Sequence, residues 1–280
     1  ATTEIYTLSL HAALPISIAE VASPGTINLS GDLSVTAQNS GLGITIGGAV
    51  AAGLNKTQDT NALAGAFAVH VDTREVRARI LDATITANRV DVFADDKATV
   101  ANIAVGGAGT SKGKVAVAGS VAVAVLDGAT EATLSGNITS ATDLVGRSND
   151  SSLTIGVAGA VSVNMSANNG YGVGLGVAVN TVNRSAITRV LAGTQITTNA
   201  FTATSDANQD IYGFGTSVGV GKTGFAGSVS VNTITGGAKV LIGASTGART
   251  AINATSVTVE ADENNTIFSL AGALDRKSVV

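Results

Sequence analysis

The chain repeats itself about every fifty-five residues, and this period limits the folds that it can adopt. A short alternating motif begins at residues 67, 121, 177 and 229, so that successive copies start 54, 56 and 52 residues apart. A second marker, Ile followed by Asn or Thr, begins at residues 27, 85, 138, 196 and 252, with spacings of 58, 53, 58 and 56. Two markers that share one period indicate a repeat array, in which each unit buries its apolar face against its neighbours.

The apolar residues are of a kind that suits thin, regular layers. Hydrophobic residues make up 45% of the chain but aromatic residues only 3%, and the chain has 34 Gly and 2 Pro. Small and β-branched side chains favour strands that stack in a narrow core. A net charge of −4 argues against nucleic acid as a partner. The chain has no Cys and therefore no thiolate ligand or nucleophile. We expect no cofactor. No apolar run in the sequence is long enough to span a membrane.

The two ends differ from the repeat. Residues 4–17 resemble a translated sequencing adapter, and residues 276–280 resemble the matching read-through at the other end. We therefore predict an artefactual or disordered leader over 1–24, one repeat array over 25–274 and an artefactual tail over 275–280 of a metagenomic fragment. The alternative for residues 5–17 is the apolar core of a signal peptide, although a basic segment does not precede it. Residues 4–17 and 276–280 are expected to pack poorly.

One unit can be followed from residue 85. Residues 90–94 alternate apolar and polar side chains as a half-buried strand does, and residues 95–97 are interpreted as a turn. Further strands are predicted over 98–105 and 115–126, with turns at 110–114 and 127–128. This pattern predicts an all-β fold, a repetitive parallel β-helix or β-solenoid with two or three rungs in each unit. The alternative is an array of β-hairpins with Lys-containing turns at their tips.

A glycine-rich stretch at residues 219–224 matches the dinucleotide-binding pattern G-x-G-x-x-G and contains Gly-Lys-Thr. Both phosphate-binding motifs need a helix after the loop, and the segment that follows is strand-like. Thr216 also stands where a P-loop requires Gly. We interpret the stretch as a hairpin turn.

Five carboxylates share one position in the repeat: Asp95, Asp96, Asp206, Asp262 and Glu263. A column of carboxylates can hold Ca²⁺, and a pair of them can act as a glycosidase or lyase site. Asp is also a common turn residue because it bonds its own backbone. We favour the turn interpretation over Ca²⁺ binding because the tandem Gly-Gly-x-Gly-x-Asp nonapeptide of calcium-binding β-rolls is absent. Recurrence argues against an enzyme site, because an active site is built once.

The basic cluster comprises His70, Arg74, Arg77 and Arg79. Apolar residues alternate with the arginines after residue 75, which predicts that Arg77 and Arg79 share the outer face. The cluster is a candidate surface patch for an anion or a glycan, and the alternative is an ordinary solvated strand face. Threonines at 84 and 86, 197 and 198, and 202 and 204 allow a further alternative, an ice-binding hydroxyl array, although their spacing varies between repeats.

The segment 227–234, followed by 238–240, 252–254 and 257–261, resembles the strand repeats of large bacterial surface proteins. These include filamentous adhesins of the haemagglutinin and leukotoxin type and autotransporter passengers, and the resemblance covers about residues 25–274. It implies export through an outer-membrane pore to the cell surface or medium, and it supplies no catalytic residues.

The expected function is thus a non-catalytic stalk or adhesive segment. Its partners would be host-cell, matrix or glycan surfaces and neighbouring repeats of the same full-length chain. The alternative from another class is a carbohydrate-active β-helix enzyme, for which Asp82 and Asp91 are carboxylates to test.

Overall fold

Every element in the described part of the chain is a β-strand. The computed structural model describes residues 2–13, 16–22, 25–54, 59–166, 170–243 and 248–277. The strands are β1 (Thr2–Ala13), β2 (Ile16–Ala22), β3 (Thr26–Asn28), β4 (Leu33–Gly53), β5 (Asn61–Ala87), β6 (Val90–Thr110), β7 (Val115–Ser140), β8 (Asp143–Asn164), β9 (Tyr171–Val190), β10 (Gln195–Gly221), β11 (Thr223–Ile242) and β12 (Ala251–Lys277).

The strands form two facing layers of parallel strands. In the first sheet, β1, β2 and β3 lie beside β5, followed by β7, β9 and β11. In the second sheet the order is β4, β6, β8, β10 and β12. The layers join where residues 195–197 of β10 pair with β7. The prediction of a parallel β-solenoid is therefore confirmed.

The repeat period corresponds to one coil of the solenoid. Each unit contributes one long strand to each sheet, so the expectation of two or three rungs in each unit is wrong. Consecutive long strands lie in opposite sheets and do not pair with each other in the described residues, which excludes the hairpin array. Strands of 20–27 residues form because the alternating pattern continues through the polar residues interpreted as turns.

Equivalent residues stack in columns along the solenoid axis, as the repeat register predicts. The first marker forms the column Phe67, Val121, Val177, Val229. The second forms the column Ile27, Ile85, Ile138, Ile196, Ile252. The two sequence markers therefore fix the register at two positions in each coil, one at the column of Phe67 and one at the column of Ile85.

Two of the predicted turns lie inside strands. Asp95 and Asp96 belong to the middle of β6, and Asp127 and Gly128 belong to β7. The turn between β6 and β7 at residues 111–114 is confirmed. Gly221 and Thr223 flank another turn, but it joins strands of different sheets and is not a hairpin; β11 follows it where a phosphate-binding loop requires a helix.

The interior of each coil has two parts of different thickness. In the thick half, formed by residues 75–87 and 90–94 and their register partners, large apolar side chains such as Ile80, Leu134 and Phe201 fill the core. In the thin half, formed by residues 61–71 and 98–110 and their register partners, the core consists mainly of Ala. A Cβ atom on Gly106 would collide with the carbonyl oxygen of Gly119 on the facing sheet, so the backbones of the two sheets touch there.

The predicted leader and tail stay predictions. The backbone of β1 pairs with β5 in continuous register from Thr2 to Ala13, while Leu14 and the side chains of Leu8 and Leu10 lie outside the described residues. Strand β12 extends to Lys277 at the other end, and residues 278–280 lie outside the described part.

Candidate functional site

The four residues of the predicted basic patch do not share a surface. His70 is fully buried between the sheets, where its Nδ1 lies 3.0 Å from the hydroxyl of Thr45. Arg74 is also interior and only 4% exposed. Arg77 and Arg79 point outward, which confirms that these two lie on the same face. The prediction that His70 and Arg74 belong to a surface patch is wrong, because their strand continues through residue 72 and keeps even-numbered residues inside.

Arg77 and Arg79 are paired with carboxylates on the outside of the thick half. Arg77 lies 2.9 Å from Glu75, and Arg79 lies 2.8 Å from Glu20 of β2. Both guanidinium groups are half-buried. An anion or glycan that binds at Arg77 and Arg79 would compete with these ion pairs. Such binding stays a prediction.

A buried cluster of charged residues separates the thin half from the thick half. Arg184 donates from Nε to Asp150 at 2.9 Å and from a terminal nitrogen to the same carboxylate at 2.7 Å, and it also bonds to Asp96. Arg74 donates from Nε to Asp72 at 2.9 and 2.7 Å and lies 3.7 Å from Asp96. The side chains of Arg184, Asp96 and Asp150 are fully buried.

The arginines of this cluster alternate with glycines along one column of the first sheet. In register order, the column is Arg74, Gly128, Arg184, Gly236. Arg184 lies on β9, whereas Asp96 lies on β6 in the second sheet. The side chain of Arg184 extends past the level of Gly128 on β7 to bond with Asp96. Both glycines adopt positive φ angles, +149° and +109°, and a Cβ on either would collide with a neighbouring arginine carbonyl. On the facing sheet, a Cβ on Gly41 would collide with the guanidinium of Arg74, so this glycine leaves the space that the Arg74 side chain occupies.

The charges of the cluster nearly cancel. Three carboxylates, Asp72, Asp96 and Asp150, face two guanidinium groups, Arg74 and Arg184, which leaves a formal excess of one negative charge. Burial raises the pKa of Asp96 above its usual value, although Arg184 opposes this effect, so protonation at Asp96 would remove the excess. Burial would by itself lower the pKa of Arg184, but Asp150 and Asp96 raise it, and the guanidinium stays charged. The two guanidinium groups thus balance two of the three carboxylates inside the solenoid.

The recurring carboxylates divide between two neighbouring columns. Asp95, Asp206 and Asp262 share the outward column, together with Asn149, whose amide donates to Asp95 at 2.6 Å. Burial and the adjacent Asp262 raise the pKa of Asp206. The inward column instead contains Asp96, Asp150, Ala207 and Glu263. Within the described residues, no group of three or more His, Asp or Glu side chains is arranged to hold a metal ion.

The threonines considered as an ice-binding array do not form one surface. Thr86, Thr139 and Thr197 stack in register, but Asn28 and Asn253 occupy the same column in the first and last coils. Thr198 is 8% exposed and bonds to Ser140 inside the solenoid.

The most unusual surface of the described chain is the outside of the thin half. On the first sheet, residues 63–71 of β5 and their partners on β7, β9 and β11 place Val, Leu, Phe, Gly and Thr in every outward position. We call these five rows the first-sheet face. Phe67, Leu175 and Phe225 are 41%, 51% and 54% exposed there. Gly65 and Gly119 leave a hollow of about 320 Å³, lined by Leu63, Phe67, Val117, Val121, Leu175 and Val177.

The opposite side of the thin half is apolar as well. On the second sheet, the outward rows at residues 44–50 of β4 and their partners on β6, β8, β10 and β12 have no charged residue. We call these four rows the second-sheet face. Ile44, Ile46 and Leu270 are 55%, 62% and 55% exposed. The thin half therefore has small residues inside and large apolar residues outside on both faces.

Comparison of the chain with protein-family models, curated proteins and solved structures finds no match. The class that the fold defines is the parallel β-solenoid. No helix in the described part of the chain is long and apolar enough to cross a membrane.

Sequence reasoning missed the buried cluster and the two apolar faces. A signal for the cluster was present, because Arg74 and Arg184 occupy the same repeat position with Gly128 and Gly236 in the alternate copies. The faces gave no such signal, because Val-Ala-Val-Ala segments are apolar on both sides and the pattern does not show which side is enclosed.

Proposed function

We propose that this chain is a non-catalytic structural segment of a large secreted or cell-surface bacterial protein, and that it provides contact surface for host-cell, matrix or glycan partners. The observation that carries the proposal is the continuity of the residue columns through successive coils. Each coil pairs with its neighbours in the same register, and buried apolar residues recur from Val35 in β4 to Ile211 in β10. Stability in such arrays is close to a sum over units and interfaces.

The dimensions of the coil favour surface over length. Neighbouring strands in a sheet lie about 4.8 Å apart, so a unit of about fifty-five residues advances the solenoid by only about 4.8 Å. A strand such as β8, with 22 residues, extends over roughly 70 Å at about 3.3 Å per residue. The fold therefore presents broad, flat sheets, which suit adhesion better than they suit a long spacer.

The buried charges are consistent with this structural role. Asp96, Asp150 and Arg184 are enclosed and paired with one another, so none of them is available to a polysaccharide. Of the carboxylates considered for an enzyme, Asp82 accepts a hydrogen bond from Ser135 at 2.8 Å and Asp91 is paired with Arg147 at 3.0 Å. Both carboxylates have partners in the folded chain.

The test uses the purified chain in two parallel assays. Binding to host cells, matrix proteins and immobilised glycans is measured beside release of reducing ends or unsaturated products from a polysaccharide panel. We expect saturable surface binding without turnover. Reproducible cleavage that Asp82→Asn or Asp91→Asn abolishes would instead establish the carbohydrate-active enzyme, and absence of binding to every surface would contradict the adhesive role.

A further inference from the structure

The two apolar faces of the thin half lie on opposite sides of the same thin slab. Because the thin interior is filled by Ala and Gly, its large apolar side chains lie outside, contrary to the usual arrangement in a soluble protein. Contiguous apolar patches on monomeric proteins rarely exceed a few hundred Å², and larger ones mark interaction sites. Each face of the thin half exceeds that size.

The area of each face can be worked out from the strand geometry. Outward residues follow one another every ~6.6 Å along a strand, and strands lie ~4.8 Å apart. Five rows on four strands of the first sheet give about 600 Å², and four rows on five strands of the second sheet give a similar area. Contact between one face of each kind would bury about 1,200 Å² in total, which reaches the range of specific protein–protein interfaces.

The two faces also differ in relief. The first-sheet face has the hollow above Gly65 and Gly119, whereas the second-sheet face has projecting residues such as Ile44, Ile46 and Leu270. Packed sheets interdigitate such side chains at a separation of about 10 Å. The projecting residues of the second-sheet face can therefore enter the hollow of the first-sheet face.

We propose that copies of this chain stack side by side, with the first-sheet face of one copy against the second-sheet face of the next. This contact joins two different surfaces, so it repeats without closing and buries both apolar faces of every internal copy. The stacking does not depend on the adhesive function, because the faces contact other copies and not a host surface.

The test blocks one face at a time. Val121→Lys with Val179→Lys places two charges on the first-sheet face, and Val105→Lys with Ile155→Lys places two on the second-sheet face. We expect the wild-type chain to sediment as multimers and each double variant alone to sediment as a 27.4 kDa monomer. An equimolar mixture of the two variants should form a dimer and no larger species, because each variant retains the face that the other lacks.

The matched control is Ala129→Lys with Ile187→Lys, which places the same charges on the outside of the thick half in β7 and β9; it should assemble like the wild type. Val121→Thr with Val179→Thr retains shape and strand propensity and should weaken assembly. Circular dichroism checks that each variant folds.

Three outcomes would overturn the proposal: a monomeric wild type, assembly that survives blocking of either face, or a mixture of the two folded variants that does not dimerise. Binding of the wild type to phosphatidylcholine vesicles, lost when either face is charged, would assign the faces to a membrane instead.

Discussion

Replacing Arg184 by Met should be among the most destabilising single changes in the chain. The guanidinium of Arg184 is fully buried and forms two hydrogen bonds with Asp150 and one with Asp96. Met preserves much of the volume but leaves the buried Asp150 without its cation and the buried Asp96 with only Arg74, 3.7 Å away. Breaking a buried ion pair by removal of one partner costs about 3–5 kcal/mol, so we expect a loss of that size in the free energy of unfolding.

The control for this substitution lies on the same strand. Arg189 is half-exposed, and its Nε lies 2.9 Å from Glu131 on the outside of the solenoid. Exposed pairs of this kind contribute about 0.2–1 kcal/mol, so Arg189→Met should cost much less than Arg184→Met. The measurement is urea unfolding followed by far-UV circular dichroism. Hydrogen exchange in β8 and β9 provides a local readout, because repeat arrays can unfold in parts.

A third variant tests the cause of the loss. If uncompensated charge is responsible, Arg184→Met combined with Asp96→Asn and Asp150→Asn should recover much of the stability, since replacing a whole buried charge cluster is often nearly neutral. The reasoning would be refuted if Arg184→Met cost no more than Arg189→Met, or if the triple variant were less stable than Arg184→Met alone.

Three further predictions concern the thin core, the charge cluster and the isoleucine column. Gly106→Ala should lower the free energy of unfolding by about 1–3 kcal/mol, because its Cβ would collide with the facing backbone. Gly119→Ala, whose Cβ meets open space, should lower it little in the same urea unfolding measurement. Equal losses for the two variants would contradict the close contact between the sheets. Because the pKa of Asp96 is raised in the folded state, its stabilising contribution is present below its ordinary pKa of about 3.8 and is lost as the pH rises through the raised value. The stability difference between wild type and Asp96→Asn should therefore shift in favour of the wild type as the pH falls from neutrality toward 4, and a flat difference would refute the assignment. Ile138→Ala should cost about 2–5 kcal/mol in thermal or urea unfolding, and a loss below 1 kcal/mol would show that the coil relaxes around the gap.

The residues of the basic cluster show how far the sequence could lead. The alternation of Arg77 and Arg79 with apolar residues placed both on the outer face correctly, because the thick half encloses large side chains and exposes charged ones. His70 and Arg74 were misplaced because both lie on the even-numbered, enclosed side of β5. Asp72 lies on the same side, and its carboxylate is 2.6 Å from the guanidinium of Arg74.

Partners distant in the sequence account for the interior positions of Asp96 and Asp150. Arg184 and Asp96 are 88 residues apart and meet because the Arg184 side chain extends from β9 toward the neighbouring coil that contains β6. Without the register between the sheets, a carboxylate in an alternating segment resembles a turn residue. Its buried position becomes favourable only when a cation from another coil neutralises it.

The sequence by itself determined the repeat, its period, the register of the columns and the all-β class, because two markers recur in step and side-chain alternation is a local property of the strand. Only the tertiary structure decided which side of each strand is enclosed. In segments such as residues 121–125, both sides are apolar, so hydrophobicity does not distinguish them. Close approach of the two sheets admits Ala122, in register with Ala68 and Ala178, and leaves Val121 and Val123 outside, so residue size decides there which side is buried.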